Sequence, residues 1–172
     1  MKRGKIYGWT RKPNLINGWA YIKGRNSSWS KGNFLEDIDL LRIVGTSGSI
    51  KSISKKLASN YLALAKAAKR DGITIIITSG FRTYKKQEYF YRRYKNGGNK
   101  AAKPGRSNHQ NGIALDIANT KSGTSIVYQW LKENATKYGF VRTVKSESWH
   151  WVYLPGKAKI LREKGDYRTW KI

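Results

Sequence analysis

The chain has 172 residues, with 35 Lys and Arg against 10 Asp and Glu, a net charge of +25, and no cysteine. That length suits one domain, or one domain with a short appendage. The missing cysteines exclude disulfides, cysteine–zinc sites, iron–sulfur clusters and a catalytic thiol, and no run approaches the roughly 18 apolar residues of a membrane span.

Residues 1–50 are rich in Gly, Trp, Asn and Ser and read as short strands and turns. They begin MKRGKIYGWTRKPNLINGW, basic but without an apolar h-region, so no secretory signal is expected. Trp9, Trp19 and Trp29 recur every ten residues without a repeat in their flanks. They read as aromatics packing a small sheet, or as the rim of a binding groove. Residues 53–70 carry Leu57, Tyr61, Leu64 and Ala68 at helical spacing, closed by Asp71-Gly72. ITIIITS, 73–79, is a β-branched run suited to a buried strand. A helix is predicted over about 84–95, a loop over 96–108, a strand over 112–118 and a helix over 124–137. GFVRTV and SWHWVYL read as two strands that pair, and residues 156–172 as a basic tail with a short helix. Helices and strands mix without a repeated βαβ unit, which predicts an α+β class. The glycines form neither a phosphate loop nor a dinucleotide fingerprint. Three segments are expected: 1–50, packed on or appended to the rest; a core over 51–156; and a tail over 157–172.

The basic excess is spread evenly: 9 basic against 3 acidic residues in 1–50, 13 against 2 in 51–100, and 13 against 5 in 101–172. The folded body itself is therefore cationic and is drawn to polyanions such as nucleic acid, anionic lipid or an anionic cell wall.

Both histidines of the chain sit near a carboxylate. His109 lies seven residues before Asp116, which interrupts the apolar run Ile113–Ala118 and faces away from Leu115 and Ile117. A carboxylate there is costly to bury unless paired or bound to metal. His150 follows Glu147 in an aromatic strand. Two imidazoles and one carboxylate make a zinc set with an open position, leaving Glu147 as a candidate base. By spacing alone, the same residues serve equally as core histidines satisfied by hydrogen bonds and as an Asp that caps a turn or pairs with a Lys.

Longer strings narrow this choice. Ser107-Asn108-His109-Gln110-Asn111-Gly112-Ile113-Ala114-Leu115-Asp116 reads S-x-H-x-x-G-x-A-x-D, and Glu147-Ser148-Trp149-His150 reads E-x-W-H, after Ser79-Gly80-Phe81-Arg82-Thr83 and Gln87. In order and spacing they resemble the LAS metallopeptidases of bacterial cell-wall peptides, and most of all the VanY-type D-alanyl-D-alanine carboxypeptidases. Pro104-Gly105, Trp130-Leu131-Lys132-Glu133-Asn134-Ala135 and Tyr138-Gly139-Phe140 fit the same branch, and the likeness covers about residues 55–155. It implies a compact domain of the hedgehog/DD-peptidase type, with a small antiparallel sheet flanked by helices. It also implies one Zn2+ held by His109, Asp116 and His150, with Glu147 as general base. Arg82 would bind the substrate carboxylate or the oxyanion, and Ser107 and Gln87 would line the substrate site.

The expected function is a zinc-dependent peptidoglycan peptidase, carboxypeptidase or endopeptidase, acting as a monomer on the anionic wall and not on a specific nucleic acid. A small basic chain read as lacking a signal is similar to phage endolysins, made in the host cytoplasm and released onto the wall; a virion-associated or injected enzyme is the neighbouring expectation. The alternatives are a basic nucleic-acid-binding protein, which would leave the histidine strings unexplained, and an inactive wall-binding relative, against which stands a full set of expected ligands and base.

Overall fold

The computed structural model describes residues 15–16, 19–22, 26–120 and 124–171. Trp9, the basic N-terminal stretch and the Trp19 side chain lie outside the described residues. Strands β1 (Leu15–Ile16) and β2 (Trp19–Ile22) come first. A hairpin follows, β3 (Ser27–Ser30) and β4 (Asn33–Asp37), then β5 (Leu40–Val44) and β6 (Ile50–Ser54). Lys31 and Gly32 connect the hairpin with φ of 52° and 92°. Two positive φ values are what a right-twisted two-residue hairpin demands, and glycine accepts one without strain. β1, β2, β5 and β6 lie side by side as one antiparallel sheet.

Helix α1 (Lys55–Arg70) starts two residues later than its periodicity suggests. β5 claims the preceding residues, pairing Leu41 with Ile53 and Leu40 with Ser54. Ser54 then caps the helix, its hydroxyl accepting the Lys56 amide. β7 (Ile77–Ser79) occupies only the end of the 73–79 run. The Ile73 amide closes α1 by donating to the Ala68 carbonyl at 2.8 Å, and the facing strand β8 (Ala114–Ile117) is four residues long. Between them α2 (Tyr84–Lys95) spans the expected range, capped by Thr83.

Helix α3 (Ile126–Asn134) is shorter than the 124–137 reading. Ser125 caps its start, and Ala135–Tyr138 tighten into a 3-10 turn that ends at Gly139. β9 (Phe140–Arg142) and β10 (His150–Tyr153) pair as expected. The tail carries more structure than its composition suggests: α4 (Pro155–Glu163) opens with proline in its first turn. Its Ala158 and Leu161 are buried against Val141 of β9.

The second sheet has the order β7-β8-β10-β9, antiparallel throughout. Leu115 and Ile117 of β8 and Trp151 of β10 point into a core shared with Ile53, Leu57, Tyr61, Leu64, Ile77 and Leu131. Small antiparallel sheets flanked by helices establish the α+β class. Because side chains alternate along a strand, the residues between these apolar ones face the opposite side.

Leu131 is fully buried in α3. Leu131→Ala is expected to cost about 2–5 kcal/mol through lost burial and a residual cavity. A urea unfolding midpoint for the two proteins checks this.

Candidate metal centre

On the face of β8 and β10 opposite the core, Asp116 stands directly across from His150 in the ladder. Residues opposed in an antiparallel pair share a face, so this register alone brings the carboxylate and imidazole together. Asp116 Oδ1 lies 3.0 Å from His150 Nδ1. The second imidazole arrives from the turn ahead of β8, with His109 Nε2 3.3 Å from the same oxygen. One ligand-capable atom from each of His109, Asp116 and His150 lies within 4.8 Å of the others.

The orientation of His109 has an identifiable cause. Its Nδ1–H donates to the Gly80 carbonyl at 2.7 Å, and its own carbonyl accepts the Arg82 amide at 3.1 Å. Residue 80 must be glycine, because a Cβ there would overlap the Ser52 carbonyl and Ile53 of β6. With Nδ1–H engaged, neutral His109 turns the Nε2 lone pair toward the Asp116 carboxylate. Two acceptors at that distance require a shared positive charge, either a proton or a metal ion. Burial pushes His109 below its ordinary pKa, against the proton. Burial would also raise the Asp116 carboxyl, but the two imidazoles against it outweigh that and hold the group well below the usual carboxylate range, so the carboxylate stays ionised and ready for a cation. Two imidazole nitrogens and one carboxylate oxygen suit zinc, and a backbone carbonyl on the far nitrogen of a ligating histidine is the usual support for such a ligand.

Arg82 follows β7. Its guanidinium donates to Gln87 Oε1 at 2.9 Å and Ser79 Oγ at 3.3 Å, and lies 4.8 Å from the Phe90 ring. Burial lowers its pKa, while Asp116 and Glu147 oppose that shift. Gln87, read from sequence as lining the substrate site, is wholly buried. It joins Arg82 to the Ala102 carbonyl, 2.8 Å from its Nε2, and so meets the site only through Arg82. Ser107 is also buried; its hydroxyl accepts the His109 amide at 3.3 Å and shapes the turn. Glu147 precedes β10 and is half-buried. With Asp116, Thr78, Trp149, Asn99 and Lys100 it lines an open groove of about 1060 Å3. The support that Gly80 gives His109 and the role of the buried Arg142 are not read from the sequence, although Gly80 stands in the Ser79–Thr83 string. The Gly80 contribution is a backbone carbonyl, and Arg142 is one basic residue among many.

Residues 50–156 match the family described as VanY, D-alanyl-D-alanine carboxypeptidase. A D-alanyl-D-alanine carboxypeptidase of Enterococcus faecalis is 36% identical over 124 residues, which cover 56% of this chain and 46% of that protein. The peptidoglycan L-alanyl-D-glutamate endopeptidase CwlK of Bacillus subtilis is 34% identical over 113 residues, covering 64% of this chain and 60% of that protein. Among solved structures, the vancomycin-resistance D,D-pentapeptidase VanY in complex with Zn(II) aligns with a TM-score of 0.59 and 27% identity. That alignment covers 80% of this chain and 93% of that one. The chain spans about half the length of the enterococcal relative.

The depressed pKa of His109 sets a pH dependence for the metal-free protein. The unfolded chain takes up a proton near the ordinary value of 6.5, whereas the folded chain resists it. Stability is therefore full above that pH and falls as the medium is acidified through it. Asp116 adds a second loss only below the ordinary 3.8. Between pH 7 and pH 5 the urea midpoint is expected to drop, and His109→Gln to flatten the drop.

Proposed function

The chain belongs to the VanY family of D-alanyl-D-alanine carboxypeptidases, and on that premise we propose that it is a zinc-dependent peptidoglycan peptidase hydrolysing a stem-peptide bond. The observation that carries this reading is the convergence of His109, Asp116 and His150 on one point, near the half-buried Arg82 and at the edge of an open groove that Asp116 and Glu147 line. His109, Asp116 and His150 would hold one zinc. When bound, zinc supplies Lewis acidity toward the scissile carbonyl and lowers the pKa of water in the site.

The remaining chemistry belongs to side chains of this chain. Glu147 accepts a proton as water oxygen adds to the carbonyl carbon, then delivers it to the nitrogen as the C–N bond breaks. The products are a carboxylate and a free amine. The N–H groups of Arg82 not engaged by Gln87 and Ser79 would bind the substrate's terminal carboxylate or the charge growing on the carbonyl oxygen. Gln87 and Ser79 fix the plane of its guanidinium. Asn99 and Lys100 extend the polar lining along which a stem peptide would lie.

The even cationic surface supports a wall-directed, lytic role of the endolysin type, since a body of charge +25 concentrates on anionic wall polymers. Clearing of a suspension of isolated walls tests that role.

Mass spectrometry of fragments released from purified peptidoglycan tests the activity and identifies the bond. Absence of any new peptide terminus would overturn the reading. Glu147→Gln is expected to retain zinc while kcat falls by roughly 10²–10⁴. If zinc is lost from Glu147→Gln and kept by Asp116→Asn, the two carboxylates are reversed. Arg82→Lys is expected to lose at least about 2 kcal/mol of transition-state stabilisation, because an ammonium cannot replace the planar fork. Kinetics on a stem peptide and its C-terminally amidated twin separate the two roles. Carboxylate binding appears in KM on the free acid alone, and oxyanion binding in kcat on both.

A further inference from the structure

We propose that Arg142 is a positioning residue for Glu147, and that the C-terminal segment Asp166–Trp170 acts by holding Arg142 in place. The inference rests on the reading of Glu147 as the proton carrier.

Arg142 ends β9 and is only 4% exposed. Among the described residues it forms no salt bridge, so its charge is met by dipoles and rings. Nη2 donates to the carbonyls of Val144 and Lys145, both at 2.9 Å, and Nη1 donates to the Tyr128 hydroxyl. Burying a guanidinium is costly unless its donors are used, and here two go to one short turn.

That turn is the one that presents Glu147. The Val144 carbonyl bound by Arg142 also accepts the amide of Glu147, at 3.3 Å. The Glu147 carbonyl in turn accepts the amide of His150, at 3.1 Å. Two backbone bonds thus link the guanidinium to the proposed base and to the first residue of the ligand-bearing strand. Residues 145 and 146 are exposed, so little else fixes the turn from outside.

The far side of Arg142 is closed by residues beyond the family match, which ends at 156. Its amide donates to the Tyr167 carbonyl at 2.9 Å, and a parallel bridge joins it to Arg168. Its guanidinium lies 5.0 Å from the Trp170 ring and 5.4 Å from that of Tyr128. Tyr167 stacks on Trp151 at 6.0 Å, and its hydroxyl lies 3.2 Å from that of Tyr128. The segment is rigid by its own bonds: Asp166 accepts the amides of Tyr167 and Arg168 and the Arg168 guanidinium. A tail that served only as surface charge would not bury Tyr167 against the core or lay Trp170 on an inward-facing arginine.

The test is a double-mutant cycle on the full-length, zinc-loaded protein, with Arg142→Lys and Glu147→Gln alone and together. Arg142→Lys keeps the charge but loses the planar pair of nitrogens, of which one holds the Val144 and Lys145 carbonyls while the other is fixed by the Tyr128 hydroxyl. It is expected to lower kcat by roughly 10- to 100-fold, the scale of a small misplacement of a reacting group. KM should stay within about twofold and zinc content unchanged. In the Glu147→Gln background the same change should have no further effect on kcat, because a positioning residue has nothing left to position. In zinc-free protein, hydrogen exchange at the amides of Glu147 and His150 should quicken while α1 is unaffected. Equal losses of kcat in both backgrounds would overturn the proposal and leave Glu147 as base. Full turnover by Glu147→Gln would overturn both. If Arg142→Lys does not fold, Tyr128→Phe and Trp170→Ala carry the same cycle, with smaller losses in the same direction.

Discussion

Everything at this site follows from one carboxylate placed on the polar face of a strand whose other face is core. Leu115 and Ile117 anchor β8 in the interior, so Asp116 between them cannot turn away from the opposite side. In a poorly hydrated setting an ionised carboxylate demands positive or proton-donating partners. The ladder register supplies His150 and the preceding turn supplies His109. The geometry of the candidate metal site is thereby a consequence of pairing two short strands in one register. A slip by one residue would send Asp116 or His150 into the core.

The site is supported from two sides by parts of the chain outside the motifs. On one side the β3–β4 hairpin backs the loop that carries His109. The Trp29 amide donates to the Gln110 carbonyl and the Gly32 amide to that of Gly105, while the Trp29 ring packs 4.7 Å from Tyr84 and 5.9 Å from Phe34. Gln110 reaches back to the Gly105 amide and closes the loop on itself. On the other side α4 and the residues after it cover β9. The three candidate ligands come from a turn and two strands of a small sheet, and such a sheet has too little area to hold them rigid without these flanking layers. Gly80 illustrates how tightly the layers interlock. It sits where β6 passes so close that no side chain fits, and that approach delivers its carbonyl to His109.

The charge has a different standing from the site chemistry. The cationic excess is distributed over all parts of the chain, and several basic side chains spread over aromatic rings of α2, as Lys86 does over Tyr89 and Phe90. Such contacts shape a basic, aromatic surface on that helix. Arg82 and Arg142 are the exceptions, drawn inward and engaged through their planar forks.

Much of this was legible in the residue order. Local spacing determines α2 outright, and the run of Leu57, Tyr61, Leu64 and Ala68 determines α1 apart from its first turn. The strings around His109 and Glu147 carry the candidate metal ligands and base, legible through the family resemblance of the longer strings, since their spacing alone fits hydrogen-bonded core histidines equally well. The ends of elements were not legible: β6 takes Ile53 and Ser54 from α1, and β7 stops short, because ladder partners distant in sequence decide where strands stop. The hydrogen-bonding partners of Gln87, Gly80 and Arg142 belong to tertiary structure alone. A buried amide, a backbone carbonyl and one arginine among many basic residues look ordinary in a sequence. They acquire meaning only when folding brings Arg82, His109 and the Val144 turn within hydrogen-bonding distance, since such bonds depend on separation in space and leave no period along the chain.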